Sequence, residues 1–443
     1  MKHLRPPKSV LEIARRLEHA GFEAWCVGGA VRDALLGGDP LDWDIATSAT
    51  PQQVRELFGH RRTIPVGIAF GTVAVLDDAR VPHEVTTFRR DVKTDGRHAE
   101  VEFGVSLDDD LARRDFTINA IAFRPRTDEV RDPFHGRDDL RDGIVRAVGD
   151  PDQRMREDRL RALRAIRFAS RFGFALDPAT RGAIARSAAH LTRLSAERVQ
   201  QELVKTMEQV ERPSLALTLW RDTGALAALV PALATVSDRA LAVLDRLPRS
   251  GAGGRVLPQR TLNRLAALFL DVPSAATRAV LSDLRFSKHE TTWIVALSER
   301  WQRHGAELGR ALREGTPSDA QVRRWVAAFG RLYAGAMLRA AYAYWCATGG
   351  AEAPSPAAVR VLHKRMRRSL YGDPIELADL AIGGEDLRRA GIPAGPIYAK
   401  ILHALLDIVL ADPARNTPEA LLAEVPRLAA AFGTDAPPAH THG

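Results

Sequence analysis

The chain of 443 residues is long enough for roughly three domains, and its apolar share of 45% allows each domain a core of its own. Lys and Arg number 63 against 55 Asp and Glu, giving a net charge of +8. This charge suits a nucleic-acid partner or, equally well, a solvated arginine-rich surface.

Two cysteines, Cys26 and Cys346, are too few and too far apart for a disulfide framework or a metal site. We expect both to be buried thiols. The chain has no apolar run of about 20 residues and no signal-peptide pattern at its start, which excludes a membrane span. The sequence therefore predicts a soluble cytoplasmic protein, with no obligate protein partner evident.

Helix and strand patterns alternate over the first 145 residues. The predicted elements are, in chain order, a helix at 9–20, a strand at 24–27, a glycine turn at 28–29, a helix at 30–37, and strands at 41–45, 71–76 and 81–90. From about residue 150 the pattern becomes almost wholly helical. This order predicts an α+β protein with a mixed head and a long helical remainder.

Turn-rich breaks at 250–258 and 349–358 divide the helical remainder. The predicted domains are a head at 1–145, a helical neck at 146–245, a helical body at 260–348, a helical tail at 357–432 and a disordered C-terminus at 433–443. The unusual residues cluster in the head, so we expect the chemistry there.

Two aspartates stand one residue apart in the predicted strand LDWDI. Side chains alternate along a strand, so Asp42 and Asp44 should share a face, where their charges repel unless a cation lies between them. Glu84 offers a third carboxylate on a nearby predicted strand. Three carboxylates suit a pair of Mg²⁺ ions that clamp an in-line displacement at phosphorus, whereas an isolated D-x-D pattern is as well explained by an exposed edge strand.

A glycine turn lies just upstream, in CVGGAVRD. Gly28 and Gly29 let the backbone approach a phosphate closely, and Arg32 adds a charged donor one turn into the next helix. A Gly-Gly turn alone is an ordinary strand-to-helix connection. Its combination with a D-x-D pattern within about ten residues is rarer and indicates a nucleotide site.

These motifs resemble the class II CCA-adding tRNA nucleotidyltransferase and bacterial poly(A) polymerase family, whose head has the polymerase β-like nucleotidyltransferase fold. The residues that carry the resemblance are GGAVRD and LDWDIATSATP, then HEVTTFR (83–89), DGRHAEVEF (95–103), RRDFTINA (113–120), EDRLRALRAIRFA (157–169), LRFSKHE (284–290) and the segment 377–410. The resemblance thus runs over nearly the whole chain.

The resemblance implies a role for each matching residue. Asp42 and Asp44 match the metal ligands, and Glu84 matches the third catalytic carboxylate. Residues that match nucleotide contacts are Gly28, Gly29 and Arg32 at the triphosphate, Arg114, Asp115 and Asn119 at the ribose and phosphates, and Asp158, Arg161, Arg164 and Arg167 at the base and neighbouring phosphates.

The hydrogen-bonding groups of Asp158, Arg161 and Arg164 also indicate a role in recognising the base. Asp158, Arg161 and Arg164 are spaced by three, which should place them near one helix face. An aspartate accepts and an arginine donates, a pattern complementary to the amino group and ring nitrogen of both cytosine and adenine. Uracil and guanine present the reverse pattern. On composition alone, a surface helix with salt bridges such as Glu157 to Arg161 remains the simpler interpretation.

Within the family, the stretch 89–103 resembles the flexible loop of CCA-adding enzymes, which favours addition of CCA to the tRNA 3′ end from CTP and ATP. The resemblance also implies that the neck at 146–245 reads the incoming nucleotide and that the tail at 357–432 binds tRNA. Addition of the terminal A alone, or of a poly(A) tail, stays open. Less favoured are a nucleotidyltransferase acting on a small molecule and an inactive RNA-binding protein. None of the 13 histidines is followed by aspartate, so we expect no phosphohydrolase activity of the kind some relatives carry.

Overall fold

The computed structural model describes residues 4–94, 99–250, 257–350 and 353–433. The chain divides into two compact units, residues 1–235 with 283–285 and residues 236–282 with 286–443. The finer division into neck, body and tail stays a prediction. The predicted disordered C-terminus lies outside the described residues beyond Gly433, as do residues 95–98 of the predicted flexible loop. Among the helices that are described, none is both long enough and apolar enough for a membrane crossing.

A mixed sheet forms the centre of the first unit. The strands are β1 (Ala24–Val27), β2 (Asp44–Thr47), β3 (Thr63–Gly67), β4 (Thr72–Leu76), β5 (Pro82–Thr87), β6 (Arg89–Thr94), β7 (Ala99–Phe103), β8 (Ala122–Arg124), β9 (Glu129–Arg131), β10 (Ile144–Val145) and β11 (Ala175–Leu176). Seven of them join in the order β3-β4-β5-β2-β1-β8-β9, with β2 and β5 parallel and the other neighbours antiparallel. Strands β6 and β7 pair as a separate hairpin.

Strand β1 lies in the interior of the sheet, which explains why its sequence is an uninterrupted apolar run. All four of its side chains are buried, because strands lie on both sides of it and the sheet is covered on both faces. Cys26 is therefore buried as predicted, and burial raises the pKa of its thiol, with the charge of Asp44 adding to the effect. The same prediction is wrong for Cys346, which is exposed.

Eleven described helices of the first unit surround and extend this sheet. They are α1 (Lys8–His19), α2 (Gly29–Leu35), α3 (Pro51–Phe58), α4 (Leu107–Ala112), α5 (Gly136–Asp142), α6 (Pro151–Glu157), α7 (Leu160–Phe172), α8 (Pro178–Ser187), α9 (Ala196–Gln209), α10 (Pro213–Asp222) and α11 (Ala225–Leu229). Trp25, Ala46 and Leu111 belong to one buried apolar cluster that joins the sheet to α4. Helix α3 begins at a Thr50 capping box with Gln53, which satisfies two terminal amides.

The helix expected to carry both Asp158 and Arg161 is broken. Helix α6 ends at Glu157 and α7 begins at Leu160, while Asp158 lies between them with extended backbone angles (φ −145°, ψ 106°). Its Oδ1 accepts the backbone N–H of Leu160 at 3.0 Å, the local bond by which aspartate competes with helix continuation. The expectation that Asp158 shares a helix face with Arg161 and Arg164 is therefore wrong, although the two arginines do lie on one helix.

The second unit is helical throughout its described part. Its helices are α12 (Asp238–Asp245), α13 (Pro258–Leu268), α14 (Ser274–Asp283), α15 (Lys288–Glu314), α16 (Asp319–Thr348), α17 (Pro356–Gly372), α18 (Gly384–Arg389), α19 (Ile397–Ala411) and α20 (Pro418–Phe432). Gly330 kinks α16 with a φ of 75°, which a side chain would disfavour. Ile401, Leu405 and Leu421 belong to a local core between α19 and α20.

A buried ion pair connects α7 to α9. Arg167 Nε donates to Glu202 Oε2 at 2.7 Å, and only 4% and 2% of the two side chains are exposed. Arg167 Nη1 also donates to Gln209 Oε1 at 3.0 Å. Because both charges are out of water, each depends on the other for compensation.

We expect Glu202→Ala to lower the free energy of unfolding of the first unit by about 3–5 kcal/mol, because it leaves the Arg167 guanidinium buried without its carboxylate. The double variant R167M/E202L should recover most of that loss, since two apolar side chains of similar size replace the pair. Denaturant titration followed by circular dichroism measures both. If Glu202→Ala were as stable as the wild type, the pair would not have this structural role.

Candidate active site

The carboxylates of the predicted metal site meet where β2 runs beside β5. In this parallel pair Ile45 lies opposite Val85, so the preceding residues, Asp44 and Glu84, are neighbours at the start of the pairing. Burial is the main cause that raises the pKa of Asp44 to about 6, and the charges of Glu84 and Asp42 contribute to this rise. The three carboxylates therefore act on one another as the sequence predicts.

Asp42 reaches this group from a loop rather than from a strand. Strand β2 begins only at Asp44, so the predicted strand at 41–45 is wrong in its first half. The alternation nevertheless holds, because Asp42 is exposed, Trp43 is buried and Asp44 is half-buried. Trp43 Nε1 donates to the carbonyl of Pro40 at 2.7 Å, which anchors the buried indole between the two aspartates in the sequence.

The donor set fits a divalent cation that is only partly enclosed by protein. Within the described residues, no three His, Cys, Asp or Glu side chains are gathered closely enough to hold a metal ion by themselves. Asp42, Asp44 and Glu84 supply oxygen ligands alone, and the pKa of Asp44 is raised by burial and by the charges of Glu84 and Asp42. A hard cation that keeps waters and shares a substrate phosphate matches this arrangement.

Gly28 brings the backbone close to these carboxylates. Its φ of 76° and ψ of −136° belong to a conformation that side chains avoid. A Cβ at this position would lie 3.1 Å from Arg114 Nη1 and 3.9 Å from Asp44 Oδ2. The missing side chain of Gly28 thus keeps the space between a carboxylate and a guanidinium open, while a Cβ at Gly29 would meet Arg32 Nη2 at 3.5 Å.

Arg32 occupies the centre of the site although it is only 4% exposed. Its Nε donates to Asp33 Oδ1 at 2.7 Å and its Nη1 donates to Asn119 Oδ1 at 2.6 Å. The guanidinium also lies over the rings of Phe168 and Phe172, with 5.0 and 4.8 Å to the ring centroids. Arg32 therefore connects the glycine turn to Asn119 on one side and to α7 on the other.

Asp115 continues this chain of hydrogen bonds. Its Oδ1 accepts Asn119 Nδ2 at 2.9 Å, and its Oδ2 accepts Arg164 Nε at 2.9 Å. Burial by itself raises the pKa of Asp115, but Arg164 and Asn119 more than reverse this and hold the pKa below its usual value. The predicted nucleotide contacts Arg32, Asn119, Asp115 and Arg164 thus form one connected network.

Arg114 joins the network to the carboxylates. Its Nη2 donates to Asp110 Oδ2 at 3.1 Å, and its Nη1 donates to the carbonyl of Asn119 at 3.4 Å. Its charge acts on Asp44 and opposes the rise of that pKa. Cations and carboxylates are therefore arranged side by side, as a triphosphate with bound metal would require.

Arg161 lies beside this network, and part of its guanidinium is hydrogen-bonded to other protein groups. Its Nη1 donates to Glu157 Oε2 at 2.7 Å and to the carbonyl of Arg154 at 3.3 Å, and its Nη2 donates to the carbonyl of Arg113 at 3.0 Å. Arginine has five N–H donors, so two, including Nε–H, have no partner within the described residues. The salt bridge to Glu157 that the simpler interpretation predicts is present. It uses only part of the hydrogen-bonding capacity of the Arg161 side chain.

Asp158 is held in a similar way. Its Oδ2 accepts Arg198 Nη2 at 2.7 Å, while its Oδ1 accepts the Leu160 amide. A carboxylate has about four acceptor positions, so capacity for a ligand amino group remains. Arg167 differs from the other predicted contacts, because its guanidinium donates to Glu202 and Gln209, although it also lies over the ring of Phe168, 4.5 Å from the centroid.

Several residues of the site were not found from the sequence. They are Asp33 and Asp110, which bind Arg32 and Arg114; Arg171, which pairs with Asp33 at 3.2 Å; Arg198; and the rings of Phe168 and Phe172. The contacts of Asp110 with Arg113 and Arg114 have helical i,i+3 and i,i+4 spacing and could have been read from the sequence. Asp33 is the sequence neighbour of Arg32. The contacts of Arg171, Arg198, Phe168 and Phe172 join distant segments and leave no such signal.

The raised pKa of Asp44 predicts a stability that depends on pH in the metal-free protein. Between about pH 4 and 6 the folded protein keeps a proton that the unfolded chain has lost, so stability falls as the pH rises through this window. Asp44→Asn removes the charge, and its gain in melting temperature over the wild type should grow from pH 4 to pH 6 and then level off. Thermal unfolding in a chelator measures this difference.

Two controls accompany this measurement. Asp128→Asn alters an exposed carboxylate and should show no such dependence. A divalent cation added at pH 8 should raise the melting temperature of the wild type and leave that of Asp44→Asn unchanged. A pH-independent difference between wild type and Asp44→Asn would contradict the assigned electrostatics.

Comparisons with known proteins agree with this geometry. Residues 24–146 match the family described as Poly A polymerase head domain, and residues 173–236 match the one described as probable RNA and SrmB- binding site of polymerase A. The CCA-adding enzyme of Latilactobacillus sakei is 37% identical over 414 residues, 93% of this chain and 96% of the relative. That of Geobacillus stearothermophilus is 35% identical over 438 residues, covering 95% and 97%.

The solved structure of Bacillus stearothermophilus CCA-adding enzyme in complex with CTP has the same fold, with a TM-score of 0.75 and 31% identity. The match covers 97% of this chain and 99% of the chain in that structure. The predicted α+β class, with a polymerase β-like head followed by helical domains, is thereby confirmed. Identity above a third along almost the full length of both chains shows that this protein belongs to the CCA-adding enzyme family.

Proposed function

We propose that this protein is a tRNA nucleotidyltransferase that adds CCA to the tRNA 3′ end from CTP and ATP without a nucleic-acid template. The observation that carries the proposal is the placement of Asp158 and Arg161, with spare acceptor and donor capacity, in the same unit as the carboxylates and the Arg32 network. The full-length relatives carry the name of this activity. A cytoplasmic location stays a prediction.

The proposed mechanism gives separate roles to three groups of residues, which bind the metal and the triphosphate, orient the ribose and phosphates, and select the base. Nucleotidyltransferases of this family use a divalent metal, and we propose Mg²⁺, which neutralises phosphate charge and activates the attacking 3′ oxygen. Asp42 and Asp44 would hold it, with Glu84 completing the carboxylate set. Arg114 and Arg32 face the same region and would bind the triphosphate that the open Gly28 turn admits.

In this scheme the ribose and phosphates are oriented by Asn119, Asp115 and Arg164. Their mutual hydrogen bonds fix each side chain before a nucleotide arrives, which reduces the entropy that binding must cost. The 3′ oxygen of the RNA then attacks the α-phosphorus and pyrophosphate leaves. In this step the protein supplies position and charge, and it forms no covalent intermediate.

Base choice rests on Asp158 and Arg161. The carboxylate accepts the exocyclic amino group that cytosine and adenine share, and the free guanidinium donors meet N3 of cytosine or N1 of adenine. Uracil and guanine place a carbonyl oxygen against the carboxylate and an N–H against the guanidinium. Each buried mispaired group costs about 1–3 kcal/mol, so both are disfavoured.

Asp158→Ala should lose rate with CTP and ATP and gain relative use of UTP and GTP, because it removes the acceptor that recognises the amino group and repels a carbonyl. Loss of one hydrogen bond to a charged group costs about 1.5–3 kcal/mol, or roughly ten- to a hundredfold in the selectivity ratio. Arg161→Ala should act likewise. Single-nucleotide incorporation on a tRNA that ends before its first added C, with each triphosphate, measures the ratios.

Asp152→Ala is the matched control, because it removes an exposed carboxylate of α6 that also pairs with an arginine, Arg186, at 2.8 Å. It should leave the base preference unchanged. If Asp158→Ala and Arg161→Ala also keep the wild-type preference for C over U, the two residues serve only as structural ion pairs. Sequencing the product of the wild type separates CCA addition from addition of a terminal A or of a poly(A) tail.

A further inference from the structure

An open cavity of about 560 Å³ lies in the second unit and is lined mainly by helices α15 and α16. It contains none of the residues assigned above to catalysis or to nucleotide binding. Its aromatic wall consists of Trp301 on α15 and of Tyr344 and Trp345 on α16. A volume in this range is typical of sites for small organic molecules, which a few polar groups orient among apolar side chains.

Two glycines of α15 make room for this wall. A Cβ at Gly305 would lie 2.7 Å from the ring of Trp301, so the indole packs directly on the helix backbone. A Cβ at Gly309 would lie 3.2 Å from Trp345 Nε1. Glycine in a helix interior is less stable than alanine, and the close approach of the two indoles explains both positions. The glycines by themselves therefore indicate aromatic packing, and it is the polar groups of the cavity that point to a ligand.

Trp345 places a buried indole N–H at this cavity. Only 6% of the residue is exposed. Its Nε1–H borders the cavity over the bare backbone of Gly309 and has no hydrogen-bond acceptor within the described residues. Trp325 of the same unit, which is 2% exposed, donates to Glu307 at 3.1 Å. Since buried N–H groups are normally paired, the Trp345 donor is available to an acceptor atom of a ligand.

Gln302 and Tyr344 are held at the cavity in fixed orientations. Gln302 Nε2 donates to the carbonyl of Leu270 at 3.0 Å, which fixes the amide, and Gln302 Oε1 is an acceptor without a partner among the described residues. The Tyr344 O–H donates to Asp271, at 3.2 Å from either carboxylate oxygen. The ring of Tyr344 lies 4.5 Å from that of Trp301, centroid to centroid. The wall is therefore set before a ligand enters, which reduces the entropy that binding costs.

The rim of the cavity carries positive charge. Arg310 and Arg313 line it from α15, and both are exposed. Arg310 has no ion-pair partner in the part of the chain that the structure describes, whereas the exposed Arg388 of the same unit pairs with Glu385 at 2.6 Å. Asp271 is the only acidic residue among those that line the cavity, and its carboxylate accepts the Tyr344 hydroxyl. The rim therefore suits an anionic group.

We propose that this cavity binds a flat heteroaromatic ring that carries a phosphate, the chemistry of a free nucleoside monophosphate. The ring would contact the aromatic wall and accept from the Trp345 N–H, and the phosphate would meet Arg310. A strand of RNA stacks on a row of aromatic side chains along a basic groove, whereas these rings form one compact wall, with Trp301 at 4.5 Å from Tyr344 and 6.3 Å from Trp345. The inference is independent of the proposed function, because it involves no residue of the first unit.

Isothermal titration calorimetry tests the proposal on the full chain with AMP as the probe, in a chelator that keeps the carboxylates of the first unit free of metal. Adenosine and ribose 5-phosphate are the comparison ligands, since each lacks one half of the proposed chemistry. Both should bind at least about tenfold more weakly than AMP. If AMP does not bind at millimolar concentration, or binds no better than ribose 5-phosphate, the inference is overturned.

Two variants assign the binding to this cavity. Trp345→Phe keeps a ring and removes the N–H, so AMP affinity should fall about three- to tenfold, and Arg310→Gln should lower it about tenfold or more. The matched controls are Trp293→Phe, whose N–H is already bonded to Asn263 at 3.2 Å, and Arg303→Gln, which alters an exposed arginine of α15 outside the cavity. Both controls should bind AMP as the wild type does.

A spectroscopic measurement shows whether the indole itself meets the ligand. In a nitrogen-15 correlation spectrum, the indole signal that Trp345→Phe removes should shift when AMP is added. If that signal does not move, or if Trp345→Phe and Arg310→Gln both keep the wild-type affinity, the inference is overturned. It is equally overturned if AMP does not bind while both variants lose affinity for single-stranded oligoadenylate, because the cavity then holds a base of RNA.

Discussion

A single buried arginine organises the first unit. Arg32 begins a chain of hydrogen bonds that passes through Asn119 and Asp115 to Arg164, and its flat guanidinium rests on two phenylalanine rings of α7. A charge that is almost fully buried is stable only with good partners, so its neighbours are bound to fixed positions. The glycine turn, the Asp115 segment and α7 are thus set relative to one another by the requirement to satisfy one cation.

This network also separates the charges of the site in space. The carboxylates of Asp42, Asp44 and Glu84 lie at one end, where burial and, to a smaller extent, their mutual repulsion raise the pKa of Asp44. Arg114 stands between them and the arginines of the network, and the absent side chain of Gly28 keeps the gap open. A triphosphate with its cation is complementary to both ends at once, because it brings positive charge to the carboxylates and negative charge to the arginines.

Asp158 and Arg161, the pair proposed to select the base, are held in place by the protein itself. Without a nucleotide, Asp158 is held by Arg198 and the Leu160 amide, and Arg161 is held by Glu157 and two carbonyls. These bonds use only part of each group, so the remaining acceptors and donors point in directions set beforehand. The salt bridges of this segment and its proposed role in base selection are therefore compatible, since the salt bridges orient the groups that the proposal assigns to the base.

The sequence by itself was enough for strands β1 and β4, for the glycine turn and for the grouping of Asp44 with Glu84 and Asp42, because alternation of side chains and glycine geometry are local properties. It also indicated the helical remainder and the spacing of the arginines on α7. It failed where distant segments compete for one side chain. Asp158 interrupts the predicted helix and bonds to Leu160 and Arg198, and Arg167 forms a buried ion pair with Glu202, although both look like their neighbours in the sequence. Only the tertiary structure decided these outcomes, because a side chain's partner depends on which elements pack beside it, and spacing along one helix does not contain that information.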